Sequence, residues 1–243
     1  MKWSVVLLLV LCGVLCHAQP RSATLPLIDV SNPAQQFIAF KGSITFSEQL
    51  TNEKMLQTQK ATASGTVVSE KPIVAFVALF EWVGFGADPR VLSARHDHFF
   101  GPHDLPKGLT IDFDVPQGDV VTNDSDGTVT TSKYTVQLKF AQFADGSIWG
   151  DKSIGDEITA QRADITAYLQ HTLSAYRLGD EQSFAAAVNA APASKEHQQR
   201  TSAFAVRKHI QMVQSESGTA AAIALVRDQL KNADTRRASG HFQ

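Results

Sequence analysis

The stretch IVAFVALFEW at residues 73–82 decides the fold, because both faces that it would present as a strand are apolar. A strand without a polar face must be covered by other layers on both sides. The preceding Glu70-Lys71-Pro72 predicts a tight turn, since Pro72 fixes its own φ and cannot donate to a β ladder. The sequence therefore predicts a central, fully buried strand that begins at Ile73.

Shorter runs rich in Val, Ile, Phe and Thr lie on either side of this stretch, separated by Gly, Pro, Asn and Asp. Residues 109–115 and 134–143 alternate apolar with polar side chains, the pattern of a strand with one buried and one wet face. In the second of these, the buried positions are predicted to be Tyr134, Val136, Leu138 and Phe140. Asp145-Gly146 then indicates a hairpin turn, because this pair tolerates the positive φ that such turns require.

About seven strands are expected in all, which favours a β-sandwich. The predicted strands are 37–46, as one or two strands broken or bulged near Gly42, then 61–69, 73–82, 90–99, 109–115, 134–143 and one that begins at Ile148.

The chain changes character near Gly155, where alanine- and glutamine-rich stretches with helical spacing begin. This change from a period of two to a period of 3.6 predicts a helical region after the strands. Such helices can dock on the sandwich, form a separate bundle or bind a partner. Docking is the default expectation, because four short helices make only a small core of their own. The predicted helices lie between Gly155 and Gly179, at 181–189, before Gly218, and at 219–230 with Thr219 as a cap.

Two segments carry a resemblance to a known family. Residues 65–80 (GTVVSEKPIVAFVALF) and 105–115 (LPKGLTIDFDV) resemble the strand–turn–strand core of exported bacterial immunoglobulin-like modules of the FxLYD type. Residues 140–151 (FAQFADGSIWGD) are similar to a strand–turn–strand ending in uncharacterised exported bacterial proteins. The resemblance spans 37–151 at most, with an insert at 84–106 and Leu-Pro-Lys-Gly in place of the usual Pro-Gly turn.

The resemblance implies a fold and no activity, because such modules share no common chemistry. The expected architecture is an all-β immunoglobulin-like sandwich at 25–154, followed by a C-terminal α-helical region at 156–231. Residues 232–243 are expected to form a frayed tail.

The first eighteen residues have the layout of a secretory signal peptide, with cleavage predicted after Ala18. Met1-Lys2 supplies the positive start and 5–15 the apolar core, which is far shorter than the roughly 20 residues needed to span a bilayer. No later run is longer, so no stable membrane insertion is expected and the protein is predicted to be secreted or periplasmic. A lipid anchor on Cys16 is the alternative, although the preceding Leu15 fits that cleavage site poorly.

Cleavage would leave the mature chain without a thiol, because Cys12 and Cys16 both lie in the leader. Disulfides, thiolate nucleophiles and thiolate metal sites are then excluded. The formal net charge of −2, with 19% charged and 43% hydrophobic residues, is that of an ordinary globular protein. It lacks the basic surface that nucleic-acid binding requires, so no nucleic-acid partner is expected.

The insert contains the most suggestive chemistry, the run RHDHFFGPHD at residues 95–104. If 90–99 is a strand, His96 and His98 project from the same face. A turn at Gly101-Pro102 would bring His103 towards them. Three neutral imidazoles suit Zn or Cu, or nickel, in a thiol-free protein. The alternative is a polar edge strand and loop whose histidines are solvated or paired with neighbouring aspartates.

Other motifs have plainer explanations. Asn123-Asp124-Ser125-Asp126-Gly127 resembles a calcium loop, but Lys133 stands where the EF-hand register needs a glutamate, so a hairpin turn is the better interpretation. Asn123 also begins a glycosylation sequon, usable in a eukaryotic source. Trp82 and Trp149 fit either a ligand groove or the core. No nucleophile-elbow or other catalytic signature is present.

These features predict an exported, non-enzymatic binding or interaction protein whose partner is a protein or a small ligand. The alternative is a metal-binding protein, either a carrier or a metal-dependent hydrolase, built on His96, His98 and His103.

Overall fold

The computed structural model describes residues 22–29, 36–51, 54–83, 90–115, 120–122, 128–176, 179–190 and 203–242. The predicted leader, the calcium-like turn with its sequon at 123–127, and residues 84–89 of the insert lie outside the described residues.

Eleven strands occur among the described residues. They are β1 (Ser22–Pro26), β2 (Ile28–Asp29), β3 (Ile38–Thr51), β4 (Lys54–Val67), β5 (Ile73–Val83), β6 (Arg90–Asp97), β7 (Thr110–Phe113), β8 (Val120–Thr122), β9 (Val129–Thr131), β10 (Lys133–Phe143) and β11 (Ile148–Gly150).

The strands form two main sheets and one small hairpin. The first sheet has the order β1-β3-β4-β7, and the second has the order β11-β10-β5-β6. Neighbours in both orders are antiparallel, while the short β2 adds a parallel pairing to β10. Strands β8 and β9 pair with each other. The two main sheets confirm the all-β part of the prediction in outline.

The predicted break or bulge in the first long strand is wrong, because β3 runs through Gly42 in continuous register and pairs it with Ala63. The glycine has a packing role instead. A Cβ at this position would lie 2.9 Å from Ile28 Cγ1 and 3.0 Å from the Thr62 carbonyl oxygen. Glycine therefore lets β2 approach the first sheet closely.

The central strand is confirmed, since β5 is buried on both faces. Phe76 and Phe80 point between the sheets, where the Phe80 ring meets Phe40 of β3 with centroids 5.8 Å apart. Ala75 and Val77 point to the opposite face and pack against the helical region.

Strand β10 also buries apolar side chains on both faces of its sheet, although its alternating sequence predicted only one buried face. Tyr134, Val136 and Leu138 lie in the core between the sheets, but the register against β5 shifts between Leu138 and Phe140. This bulge turns Phe140 to the other face, where it packs with Ile158. The prediction that all four side chains share one face is wrong at Phe140. The prediction for 109–115 fails at one position too, because Leu109 is exposed.

Four helices occur among the described residues: α1 (Lys152–Ala175), α2 (Glu181–Asn189), α3 (Ala203–Ser217) and α4 (Thr219–Ala238). The structure therefore has a β part followed by an α part, as predicted. Asp151 caps α1 by accepting a hydrogen bond from the Ser153 amide, and Asp180 caps α2 in the same way. Thr219 is not a cap, because Gly218 occupies the N-cap position of α4 and makes no side-chain bond.

The expected frayed tail differs from the structure. Helix α4 continues to Ala238 instead of ending near residue 230. Beyond it, the Phe242 ring packs on Phe99 with centroids 5.7 Å apart. Residues of this last segment contact the loop that follows β6, and these contacts stabilise the end of the chain.

The helices cover the face of the second sheet that points away from the first. Ile158 of α1 packs against Val77 and Phe140 of this sheet. A larger cluster joins Val74, Phe99 and Phe100 to buried side chains of all four helices, which are Ile165, Leu169, Phe184, Val188, Ile210, Ala222, Ile223, Val226 and Ala233. The helical region thus docks on the sheet and completes the burial of β5.

Candidate functional site

The loop that follows β6 joins the second sheet to the helices through an ion pair. Asp97, the last residue of β6, accepts hydrogen bonds from Arg162 Nε at 2.9 Å and from Nη2 at 2.8 Å. Arg162 Nη1 donates to Gln142 Oε1 of β10 at 2.7 Å. Asp97 also accepts from the Phe99 amide, which fixes the turn after the strand. This forked geometry ties α1 to two strands at once.

Side chains of helix α4 hold the same loop by donating hydrogen bonds to the loop's backbone carbonyl oxygens. Arg236 Nε donates to the Phe99 oxygen at 3.0 Å, and Asn232 Nδ2 donates to the Phe100 oxygen at 3.2 Å. Arg236 also forms an ion pair with Asp104, with Nη2 and Oδ1 2.6 Å apart. The loop thus has polar partners for its backbone although it lies against a core.

Phe99 forms the centre of this junction. The Arg162 guanidinium lies over its ring, 4.3 Å from the centroid, and Arg237 approaches it at 5.6 Å. The ring also meets Phe100 edge-on at 5.3 Å. The aromatic residues of RHDHFFGPHD are therefore anchors of the helix–sheet junction, a role that the sequence did not reveal.

The three histidines lie in three different environments. His96 points between the sheets, where it stacks on Phe76 with centroids 4.8 Å apart and meets Phe113 edge-on at 5.7 Å. Because β6 ends at Asp97, His98 lies beyond the strand, and it borders the helices. His103 is exposed. In the described part of the chain, no group of three or more His, Cys, Asp or Glu side chains is arranged to hold a metal ion.

Burial lowers the pKa of both inner imidazoles. The pKa of His96 falls below its ordinary value of 6.5 through desolvation first and the nearby His98 second. Desolvation also lowers the pKa of His98 and outweighs the opposing attraction of Asp97 and Asp104, while Arg236 adds to the decrease. Both rings are therefore neutral at pH 7, and each offers one donor and one acceptor.

An open cleft lies where His98 faces the helices. It has a volume of about 560 Å³, and its exposed wall is mainly apolar. The loop contributes His98, Phe100 and Pro102 to this wall. Helices α1, α3 and α4 contribute Ile165, Val206, His209, Leu225, Asp228, Gln229, Lys231 and Asn232. A concave site of this size with a mainly apolar exposed surface is typical of small-molecule pockets, although about half of the residues that line this one are polar or charged.

Gln229, one of the residues that line this cleft, carries an unsatisfied oxygen that does not open into the cleft. Gln229 Oε1 is closed off from solvent and has no hydrogen-bond partner among the residues that the structure describes. A buried acceptor without a donor costs roughly 1–3 kcal/mol. Sequence reasoning missed this residue, because a glutamine on an ordinary helix carries no visible signal.

The two tryptophans favour the packing interpretation. Trp82 is buried and its Nε1 donates to Ser132 Oγ at 2.7 Å. The Trp149 ring packs edge-on against Phe37, with centroids 5.3 Å apart.

Comparison with known proteins yields no relative. No protein-family model matches the chain, and neither a curated protein nor a solved structure matches it. Within the described residues, no helix is both long and apolar enough to cross a membrane. The function must therefore be argued from the geometry of the cleft and its walls.

The neutral state of His96 predicts a pH effect on stability. A histidine whose folded pKa is lowered contributes stability that is present above the unfolded pKa and is lost as pH falls through the folded value. We expect the melting temperature to fall as the pH is lowered below about 6.5, and to fall less in His96→Phe, which keeps a ring stacked on Phe76. Equal pH dependence of the two proteins in thermal melts would contradict this expectation.

Proposed function

We propose that this protein is an exported, non-enzymatic binding protein that takes a small, mainly apolar ligand in the cleft between the loop after β6 and helices α1, α3 and α4. The observation that carries the proposal is the cleft itself, with its volume of about 560 Å³ and its apolar wall. Such a site lies within the size range of known ligand pockets, roughly 300–1,000 Å³.

The position of the cleft supports the proposal. Its loop wall is held by Asn232 and Arg236 of α4, and its helical wall is fixed by the core beneath Ile165. A site whose walls are rigid before the ligand arrives pays less entropy on binding. The loop is therefore preorganised rather than free to collapse into the cleft.

The chemistry of the walls favours binding over catalysis. His98 is the obvious candidate for a general base, but its neighbouring carboxylate Asp97 is occupied by Arg162. Asp104, the other carboxylate that acts on His98, is paired with Arg236. Both carboxylates act on His98 through charge alone, since no hydrogen bond joins either of them to its ring within the described residues, whereas a catalytic pair is hydrogen-bonded.

Two further parts of the proposal rest on the sequence. Export follows from the leader at residues 1–18 with its cleavage site after Ala18, and places the protein outside the cell or in the periplasm. An immunoglobulin-like origin of the β part is supported by the two main sheets and their shared core, and by the FxLYD-type resemblance. An immunoglobulin-like origin would not by itself indicate a function, because folds of this kind carry many different functions.

Filling the cleft tests the proposed function. We expect the neutral dye Nile red to bind the native protein saturably, with a rise in fluorescence, and Leu225→Trp to abolish this binding by occupying the apolar wall. Leu109→Trp is the matched control, because Leu109 is exposed and lies outside the cleft. Both variants should keep the far-UV circular dichroism of the native protein. Equal dye binding by both variants would rule out the cleft as the site.

A further inference from the structure

We propose that the cleft releases its apolar ligand in mild acid, because a proton taken up by His98 places a positive charge in the wall that the ligand covers. The inference rests on the proposed function of the cleft and adds a regulation to it. Two features of the structure lead to it: the place of His98 in the cleft wall, and the state of the charges around its ring.

His98 lies in the loop wall of the cleft, directly after the end of β6. It lines the cleft beside Phe100, while Val206 of α3 and Leu225 of α4 belong to the helical wall. The exposed surface of these walls is mainly apolar. His98 is only half-buried, so solvent still reaches it in the empty cleft. A ligand that fills the cleft therefore removes water from this histidine.

The charge state of this histidine decides what that removal costs. An imidazole has an ordinary pKa of 6.5, which places its gain of charge within reach of mild acid. The neutral ring can be covered by apolar surface, whereas a protonated ring without a partner loses hydration that apolar surface does not replace. A ligand that binds the neutral form more tightly is therefore released as the ring takes up its proton.

The charges nearest to His98 are already engaged with each other. Asp97 is paired with Arg162, and Asp104 is paired with Arg236. Desolvation is the main cause that lowers the pKa of His98. The attraction of the two carboxylates opposes this decrease, and the Arg236 guanidinium adds to it. A positive charge on the ring thus finds no free carboxylate among these neighbours, and one cation that repels it.

The other ionisable groups nearby are placed to contribute less. His96 lies between the sheets, where it stacks on Phe76, and is not part of the cleft wall. The remaining groups are exposed, so their charges keep most of their hydration when the cleft is filled. They are His103 of the loop, His209 of α3, and Asp228 and Lys231 of α4. His98 is therefore the group through which acid acts on the ligand.

Fluorescence titration with Nile red, which stays uncharged over this range, tests the inference on the full chain. We expect its dissociation constant to rise about threefold or more between about pH 7.5 and about pH 5, as the histidine becomes protonated. Far-UV circular dichroism at both pH values is the control for folding.

Three variants separate charge from shape. His98→Gln has no group that titrates here, so its affinity for the dye should change less than about twofold between the two pH values. His98→Lys carries a permanent charge, so it should bind weakly at both pH values. His209→Gln is the matched control, since His209 also lines the cleft but is exposed, and it should keep the pH dependence of the native protein.

The outcomes distinguish the two proposals. Equal affinity of the native protein at both pH values, or a pH dependence that survives His98→Gln or disappears in His209→Gln, would overturn the acid release and leave the cleft as the binding site. Dye release that accompanies a loss of native circular dichroism would overturn it too, because the cleft then unfolds. If Nile red does not bind at about pH 7.5, or binds Leu225→Trp equally well, both proposals fail.

Discussion

Replacing Arg162 with leucine is expected to lower the free energy of unfolding by about 3–4 kcal/mol. Arg162 is almost fully buried, and its three nitrogens contact Asp97 and Gln142. Without it, the Gln142 amide oxygen has no donor, and the Asp97 carboxylate keeps only the Phe99 amide in a site of low dielectric. Asp97 keeps 22% of its side chain exposed, so solvent recovers part of the loss and the expected effect is below that of a fully buried pair.

Equilibrium urea unfolding of Arg162→Leu beside Arg95→Leu measures this effect. Arg95 makes a single contact to Glu157 of the same helix, and both side chains are substantially exposed, so its loss should cost at most about 1 kcal/mol. The double variant Arg162→Leu/Asp97→Asn should recover part of the stability, because no unpaired charge is then buried. If the two single variants lose similar amounts, Arg162 does not hold the loop to the helix.

The importance of Arg162 was within reach of the sequence. Residues 158, 162, 165 and 169 follow one helical stripe, and three of them are apolar. An arginine on such a stripe either reaches solvent and interrupts the apolar face, or is buried and paired with an acidic side chain. What the sequence could not supply was the partner, since Asp97 lies at the end of a strand 65 residues earlier. The loop was therefore interpreted through its histidines, whereas its aspartate and phenylalanines hold the junction.

The central strand shows the opposite case. Residues 73–82 are apolar on both faces, and any fold must cover them, so their burial followed from composition alone. The identity of the covering layers did not follow. One covering layer is the first sheet and the other is the helical region. Which elements cover β5 depends on how the apolar faces of distant segments fit together, and the local sequence does not show this.

The bulge in β10 marks a limit of pattern reasoning. Strict alternation from Tyr134 predicted Phe140 between the sheets, and the register shift after Leu138 reverses it. A bulge depends on cross-strand pairing with β5, which is invisible in the local sequence. The reversal has a consequence for the fold, because it gives helix α1 a large aromatic side chain to pack upon.

Phe140→Ala is therefore expected to destabilise the protein by about 3–5 kcal/mol, the cost of removing a buried phenylalanine and leaving a cavity. Only 1% of its surface is exposed, and it packs with Ala75, Val77 and Ile158 at the interface between sheet and helix. The fit is close at Gly155 of α1, where a Cβ would lie 3.0 Å from Phe140 Cε2. The surroundings are thus shaped around this ring.

Urea unfolding with hydrogen exchange on α1 tests whether this ring docks the helix. Amides of α1 should exchange faster in Phe140→Ala, because the helix loses a large apolar contact with the sheet and opens locally at lower cost. Phe204→Ala is the control, since Phe204 keeps 40% exposure on α3 and its removal should cost less than about 1 kcal/mol. Equal losses in the two variants would mean that the helices are an appendage. A large loss confined to Phe140→Ala would make them part of the core, as burial of both faces of β5 requires.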